Sequence, residues 1–225
     1  MDKALAHDDA ILQAREVLKG HYVVLDTETT GLENAEVCQL AFIGDDTEWF
    51  ETLVKPSIAI RSDATAIHGI TNEMVAEALG IDSWWPVINF TLLGRKVIGY
   101  NLQYDLKCIK HTLALKHIDI DYSRQDTFDV MYAYAAFHGE INPSTGTFKW
   151  QKLGEALKQC GIEWGDLHNA GSDARATLAL LWYISEQKTT WEDALEVAVV
   201  SLDLARVAAP QFIQALAEIT YRKTT

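Results

Sequence analysis

Cysteine, proline and positive charge are all scarce in this 225-residue chain. The three cysteines, Cys38, Cys108 and Cys160, are odd in number, far apart and never in a Cys-x-x-Cys pair. Neither a disulfide framework nor a zinc site of the usual spacing is expected, and a reducing cytoplasm is the expected setting. Four prolines and 13 glycines, scattered along the chain, mark no linker, repeat or low-complexity tract, so residues 1–225 read as a single domain. The chain has no apolar run of about 18 residues, and its N-terminus, MDKALAHDDA, lacks a basic stretch followed by an apolar one. Neither a membrane span nor a secretory signal is expected. Lys and Arg total 19 against 32 Asp and Glu, a formal net charge of −13. That argues against gripping long nucleic acid on a broad basic face, so a polyanionic substrate is expected to be met locally, through bound cations.

What is present is a strand-then-helix pattern with 48% hydrophobic residues. A helical period covers 9–19, then Tyr22 to Leu25 reads as a buried strand that ends in polar residues and Gly31. Residues 36–43 and 47–54 alternate about a turn at Gly44-Asp45-Asp46, which gives a three-strand meander. Helices are expected at 63–67, 72–78 and 84–94, a fourth strand at 97–99, and helices at 102–114, 127–138, 150–160 and 171–187. Strands first and strand–helix alternation afterwards make an α/β domain with a mixed sheet. The tail from 191 to 222 reads as two amphipathic helices broken near Pro210.

Three segments carry chemistry. Asp26-Thr27-Glu28 follows an apolar strand, and side chains two apart on a strand share a face, so two carboxylates point the same way. Such a pair suits a hard cation, Mg²⁺ or Mn²⁺, although acids also simply end strands. Asp105 falls in the first turn of the helix that follows Asn101, where the helix dipole alone would favour a carboxylate. Asp173 stands at the start of the 171–187 helix, where it or Ser172 would equally serve as a cap, and His168 by itself reads as a surface histidine.

Taken together and in order, Asp26, Glu28, Asp105, His168 and Asp173 resemble the motifs of the DEDDh, DnaQ-like, proofreading-type 3′-to-5′ exonucleases. VVLDTETTGL looks like the first motif, AIHGITNEM the connector, IGYNLQYDL the second motif, and HNAGSDARATLALL the third; DTF at 126–128 and KLGEALKQCGI at 152–162 look like the intervening elements. The likeness covers 21–185, with Tyr100 where many relatives carry His, and Asn169 and Gly171-Ser172 where relatives usually have Arg or Lys and a bulkier pair.

The resemblance implies an RNase H-like mixed five-stranded sheet flanked by helices, with an exonuclease core at 21–187 and a helical C-terminal extension at 188–225. It implies hydrolysis of phosphodiester bonds from the 3′ end of DNA or RNA, releasing nucleoside monophosphates by a two-metal-ion mechanism. Asp26, Glu28, Asp105 and Asp173 would hold two ions, Mg²⁺ or Mn²⁺, and His168 would be the general base, so activity should fall as it protonates. Thr27, Thr29, Leu32, His68 and Asn101 would bind the 3′ end, and Trp84, Trp85, Tyr100 and Tyr104 are candidates for stacking on bases. Most tryptophans, Trp182 among them, are expected in the core. The partner is a nucleic acid 3′ end, in a single strand or short oligonucleotide, with a homodimer or protein partner conceivable through 188–225. Two other readings stand: a non-catalytic, partner-recruiting subunit of this fold, and a hydrolase of nucleotides or short oligonucleotides; a third, an aspartyl-nucleophile phosphatase, wants a second Asp where Glu28 stands and a lysine downstream in a matching context.

Overall fold

The structure is a computed structural model and describes residues 2–45 and 49–197. Met1–Gln187 form one compact unit, and the chain from Lys188 on belongs to a second. The first holds a five-stranded sheet in which β1 (Tyr22–Thr29) is central. It pairs antiparallel with β2 (Val37–Gly44), which pairs antiparallel with β3 (Trp49–Leu53). On its other side lie β4 (Lys96–Gly99) and β5 (Thr127–Asp129), both parallel, giving the order β3-β2-β1-β4-β5. This is the mixed five-stranded sheet of the RNase H-like fold.

Alternation along β1 sorts the helices onto two faces. Val23 and Leu25 pack with α4 (Ile81–Leu92) and α5 (Leu102–Ala114). Tyr22 and Val24 pack instead with α1 (Lys3–Val17), α6 (Val130–His138), α7 (Leu153–Gln159) and α8 (Ala170–Glu186). The short helices α2 (Ser62–His68) and α3 (Asn72–Val75) close over Cys38 through Ile60, Ala64, Ile70 and Val75.

Several expectations need correction. The segment 127–138 is not one helix: Thr127–Asp129 extend the sheet as β5, and the helix begins only at Val130, with the Asp129 side chain accepting from the Met131 N–H. Strand β1 runs on to Thr29 rather than stopping at Leu25, because its polar half pairs in register with β2 as far as a bulge between Glu28 and Thr29. Helix α1 begins at Lys3, started by the Asp2 carboxylate accepting from the Ala4 and Leu5 N–H groups. Trp182 is 46% exposed, as are Trp49, Trp150 and Trp191 to similar degrees, so the tryptophans are not mainly core residues.

In the second unit residues 190–197 are helical, opened by a capping box in which Thr189 Oγ1 accepts from the Glu192 N–H and Glu192 accepts from the Thr189 N–H at 2.8 Å. The expected break near Pro210 and the helix after it lie outside the described residues. Among the described residues no helix is long and apolar enough to cross a membrane.

Candidate active site

Because Asp26 and Glu28 are two apart on β1, both side chains face α8, and Asp173, in the first turn of α8, meets them there. One carboxylate oxygen from each of the three lies within 4.8 Å of the others. All donors are oxygen, as hard divalent cations require, and no imidazole or thiolate belongs to the group. The electrostatics suit a cation site. Burial, then the charges of Asp105, Asp173 and Glu28, drive the Asp26 carboxyl well above the usual carboxylate range. Burial, then Asp173 and Asp105, push Glu28 up to about 8. Burial raises Asp173 as well, opposed first by the hydrogen bond from the His168 N–H. Gathering acids this closely without cations costs free energy that a bound ion would return.

Asp105 approaches from the opposite face of the sheet. It is buried in α5, and its Oδ1 accepts from the Thr27 N–H at 3.0 Å and from Thr27 Oγ1 at 2.6 Å. Thr27 alternates with Asp26 and Glu28, so it points to the α5 face and tethers the fourth acid beside the other three without placing it among them. Burial raises the Asp105 carboxyl, and the Thr27 bonds pull against that.

His168 is exposed and has φ of 70°, left-handed backbone that costs a non-glycine residue about 1–2 kcal/mol. Its N–H donates to Asp173 Oδ1 at 3.0 Å, so the proposed base is tied through its backbone to a proposed metal ligand.

A groove of about 520 Å³ reaches the carboxylate cluster at Glu28 and is lined also by Thr27, Thr29, Leu32, Arg61 and Tyr104 among others. Leu32 is 82% exposed and Ile67 60%, both on its walls. His68, also lining it, accepts from the Ile70 N–H on Nδ1, which leaves Nε2 to carry the proton and donate to the Thr29 carbonyl at 3.2 Å. Burial favours that neutral form, and the bond to the Thr29 carbonyl pulls against it. Tyr104 hydroxyl donates to the Gly31 carbonyl at 2.7 Å and meets Thr29 Oγ1 at 3.0 Å, bracing the loop after β1. Of the expected substrate residues, Thr27, Thr29, Leu32 and His68 therefore line one groove, whereas Asn101 does not. Asn101 lies in left-handed conformation at the start of α5, its N–H donating to Asp129 Oδ1. Of the aromatic candidates only Tyr104 lines the groove: Trp84 and Trp85 pack on the α4–α5 core, and Tyr100 is packed on the other face with its hydroxyl donating to the Gln151 carbonyl.

Two contributors escape a reading of motifs. Asp129 accepts from the Asn101, Leu102 and Met131 N–H groups, so one carboxylate ends β5, caps α6 and secures the turn into α5. A strand boundary at 129 would have marked it. Arg61 brings a cation to the groove, paired with Asp63, and nothing in its local sequence singles it out.

Comparison with known proteins agrees with this geometry. The exonuclease family model matches residues 23–181, a span that includes all four acids and His168. An uncharacterised exonuclease, CP81, of Escherichia phage 186 is 33% identical over 178 residues, 75% of this chain and 90% of its own length. The DNA polymerase III epsilon subunit of Aquifex aeolicus is 29% identical over 187 residues, 76% of this chain and 83% of its own. Escherichia coli Exonuclease I, solved with a dA16 oligonucleotide, superposes with a TM-score of 0.63 at 19% identity over 79% of this chain, which spans only 43% of that one and shares its fold. From its sheet, its carboxylates and these relatives, the chain belongs to the DnaQ-like 3′-to-5′ exonuclease family.

Proposed function

We propose that the protein hydrolyses phosphodiester bonds from the 3′ end of DNA or RNA, one nucleoside monophosphate at a time. The observation that carries this is the position of Glu28, which belongs both to the carboxylate cluster and to the lining of the groove. A strand end seated in the groove would bring its terminal phosphodiester to the acids.

Asp26, Glu28 and Asp173 would hold one divalent cation, Mg²⁺ or Mn²⁺, and Asp26 with Asp105, the latter mainly through water, a second. When bound, such a pair neutralises the carboxylates and stabilises charge on the attacking and leaving oxygens. The protein's own residues do the rest. Leu32, Ile67 and the Tyr104 ring wall the groove and would hold the terminal nucleoside. His68, with its proton committed to Thr29, keeps the α2 wall against β1 rather than exchanging protons. The His168 imidazole would take the proton of the attacking water as the P–O3′ bond breaks, the departing O3′ taking a proton from solvent, and its exposed setting gives the imidazole a route to return its own proton to solvent. The unpaired thiols of Cys38, Cys108 and Cys160 support the reducing cytoplasm as its setting.

A second reading keeps the chemistry and shortens the substrate. The groove volume falls within the roughly 300–1,000 Å³ of small-ligand sites, which favours dinucleotides and short oligonucleotides as well as strand ends. A time course on 5′-labelled single-stranded DNA, 3′-recessed duplex, short RNA and dinucleotides, with Mg²⁺, Mn²⁺ or EDTA, tests both, with Asp26→Asn as control. A metal-dependent ladder shortening from the 3′ end and absent in the control is expected. Intact polymers with both metals, beside cleaved dinucleotides, would select the short-substrate reading, and no cleavage of any of them would leave a non-catalytic role.

A further inference from the structure

Across the sheet Asp26 is paired with Ala41, and Ala41 with Glu51; one row over, Glu28 is paired with Gln39. Directly paired residues share a face, so Gln39 on β2 and Glu51 on β3 lie beside the carboxylates, under the same first turn of α8. Glu51 Oε1 accepts from two amides, Gln39 Nε2 at 2.8 Å and Asn169 Nδ2 at 3.0 Å. A carboxylate only accepts, so it turns the NH₂ end of both amides towards itself and leaves their oxygens facing α8. Those oxygens are used: Gln39 Oε1 accepts from the buried Ala170 N–H and Asn169 Oδ1 from the Ser172 N–H, both at 3.0 Å. Two of the N–H groups that a helix leaves unpaired at its start are thus satisfied by amides whose orientation a single acid dictates.

The third motif's departures from the family pattern belong to this arrangement. Asn169 is the arm that reaches Glu51. Gly171 is where a Cβ would overlap the Glu51 Oε2 atom and the Trp49 ring, and Arg175 stacks on that ring at 4.2 Å from its centroid. Gly171 therefore lets β3 reach the helix start, and the acid and the glycine require each other.

We propose that Glu51 is a positioning residue: through Gln39 and Asn169 it sets the first turn of α8 and the His168 that leads into it. The inference rests on the exonuclease reading, with His168 as base. Glu51 is neither one of the residues that line the groove nor one of the clustered carboxylates, so its loss should leave substrate binding alone and misplace His168, which leads into that turn, and Asp173, which lies in it.

The test uses the full chain and a 5′-labelled single strand with Mn²⁺. Glu51→Ala is expected to lower kcat at least about 10-fold with KM within about twofold, and Gly171→Ala, which displaces the same carboxylate from the other side, is expected to do likewise. In a His168→Ala background the further loss from Glu51→Ala should be smaller than in the wild type, because one of the two site residues it positions is gone; the remainder, through Asp173, should show as a higher Mn²⁺ concentration for half-maximal rate. Unchanged kcat in both single variants, a rise in KM alone, or a loss that multiplies fully with His168→Ala would overturn the inference while the exonuclease reading stands. Should the wild type degrade no substrate with either metal, that reading fails and the inference falls with it. Melting curves keep the two variants separable from unfolding, since either one suffices.

Discussion

His168 joins two demands in one position, a left-handed backbone and an imidazole. Replacing it by alanine or by glycine should remove the proposed base alike, lowering kcat about 10² to 10⁴-fold. The two variants should part in stability: glycine tolerates φ of 70° and is expected to melt above the alanine variant by the equivalent of about 1 kcal/mol. Equal kcat for His168→Gly and wild type at neutral pH would remove the side chain from the mechanism. Glu28 makes a second prediction at this scale. Its carboxyl is raised from an ordinary 4.5 to about 8, so between those values the folded, metal-free protein binds a proton the unfolded chain does not. Stability in EDTA is therefore greatest below about pH 4.5 as far as this group is concerned, and is lost as pH rises through about 8. Saturating Mg²⁺ should flatten that fall by neutralising the cluster, and melting temperatures between pH 5 and 9 with and without the ion would reveal it.

Between elements, the decisive contact is the one that joins the two faces of the sheet. Thr27 on β1 gives both its N–H and its hydroxyl to Asp105 on α5, so the fourth acid is held near the other three by a strand residue of opposite orientation. Thr27→Val keeps the shape and removes the hydroxyl from a buried carboxylate, which should cost about 1.5–3 kcal/mol in chemical denaturation at neutral pH. It should also raise the Asp105 carboxyl further and weaken activation by Mg²⁺, seen as a higher metal concentration for half-maximal rate. An unchanged metal requirement would mean that Asp105 takes no part in holding an ion.

At the scale of the whole molecule, a net charge of −13 faces a polyanion. Among the described residues that line the groove, Arg61 brings the only Lys or Arg side chain. If few phosphates are neutralised, binding of a single strand should fall only shallowly with salt, with a log–log slope on the order of −1 for one or two contacts. A steep slope measured by titration of Asp26→Asn with labelled strand would require a basic surface elsewhere. The division after Gln187 gives another expectation: a chain ending there should keep its metal-dependent activity, and a change in oligomeric state on truncation would assign 188–225 to a homodimer or partner contact.

Order and spacing along the chain determined a great deal. Asp26 and Glu28 had to share a face because a strand alternates, and the motif order placed all four acids and the histidine in one family with one sheet. The helices at 102–114 and 171–187 were legible because their apolar faces repeat at the helical period. Strand β5 was not: three residues leading straight into a helix carry no alternation of their own, and only the neighbour β4 makes them a strand. The polar half of β1 was hidden for the same reason, since pairing with β2, not side-chain hydropathy, keeps it extended. Which face each acid meets, that Thr27 tethers Asp105, and that Glu51 reaches Asn169 118 residues away were decided by tertiary structure alone. Local sequence encodes direction and period; the approach of two elements to within a hydrogen bond depends on every side chain packed between them.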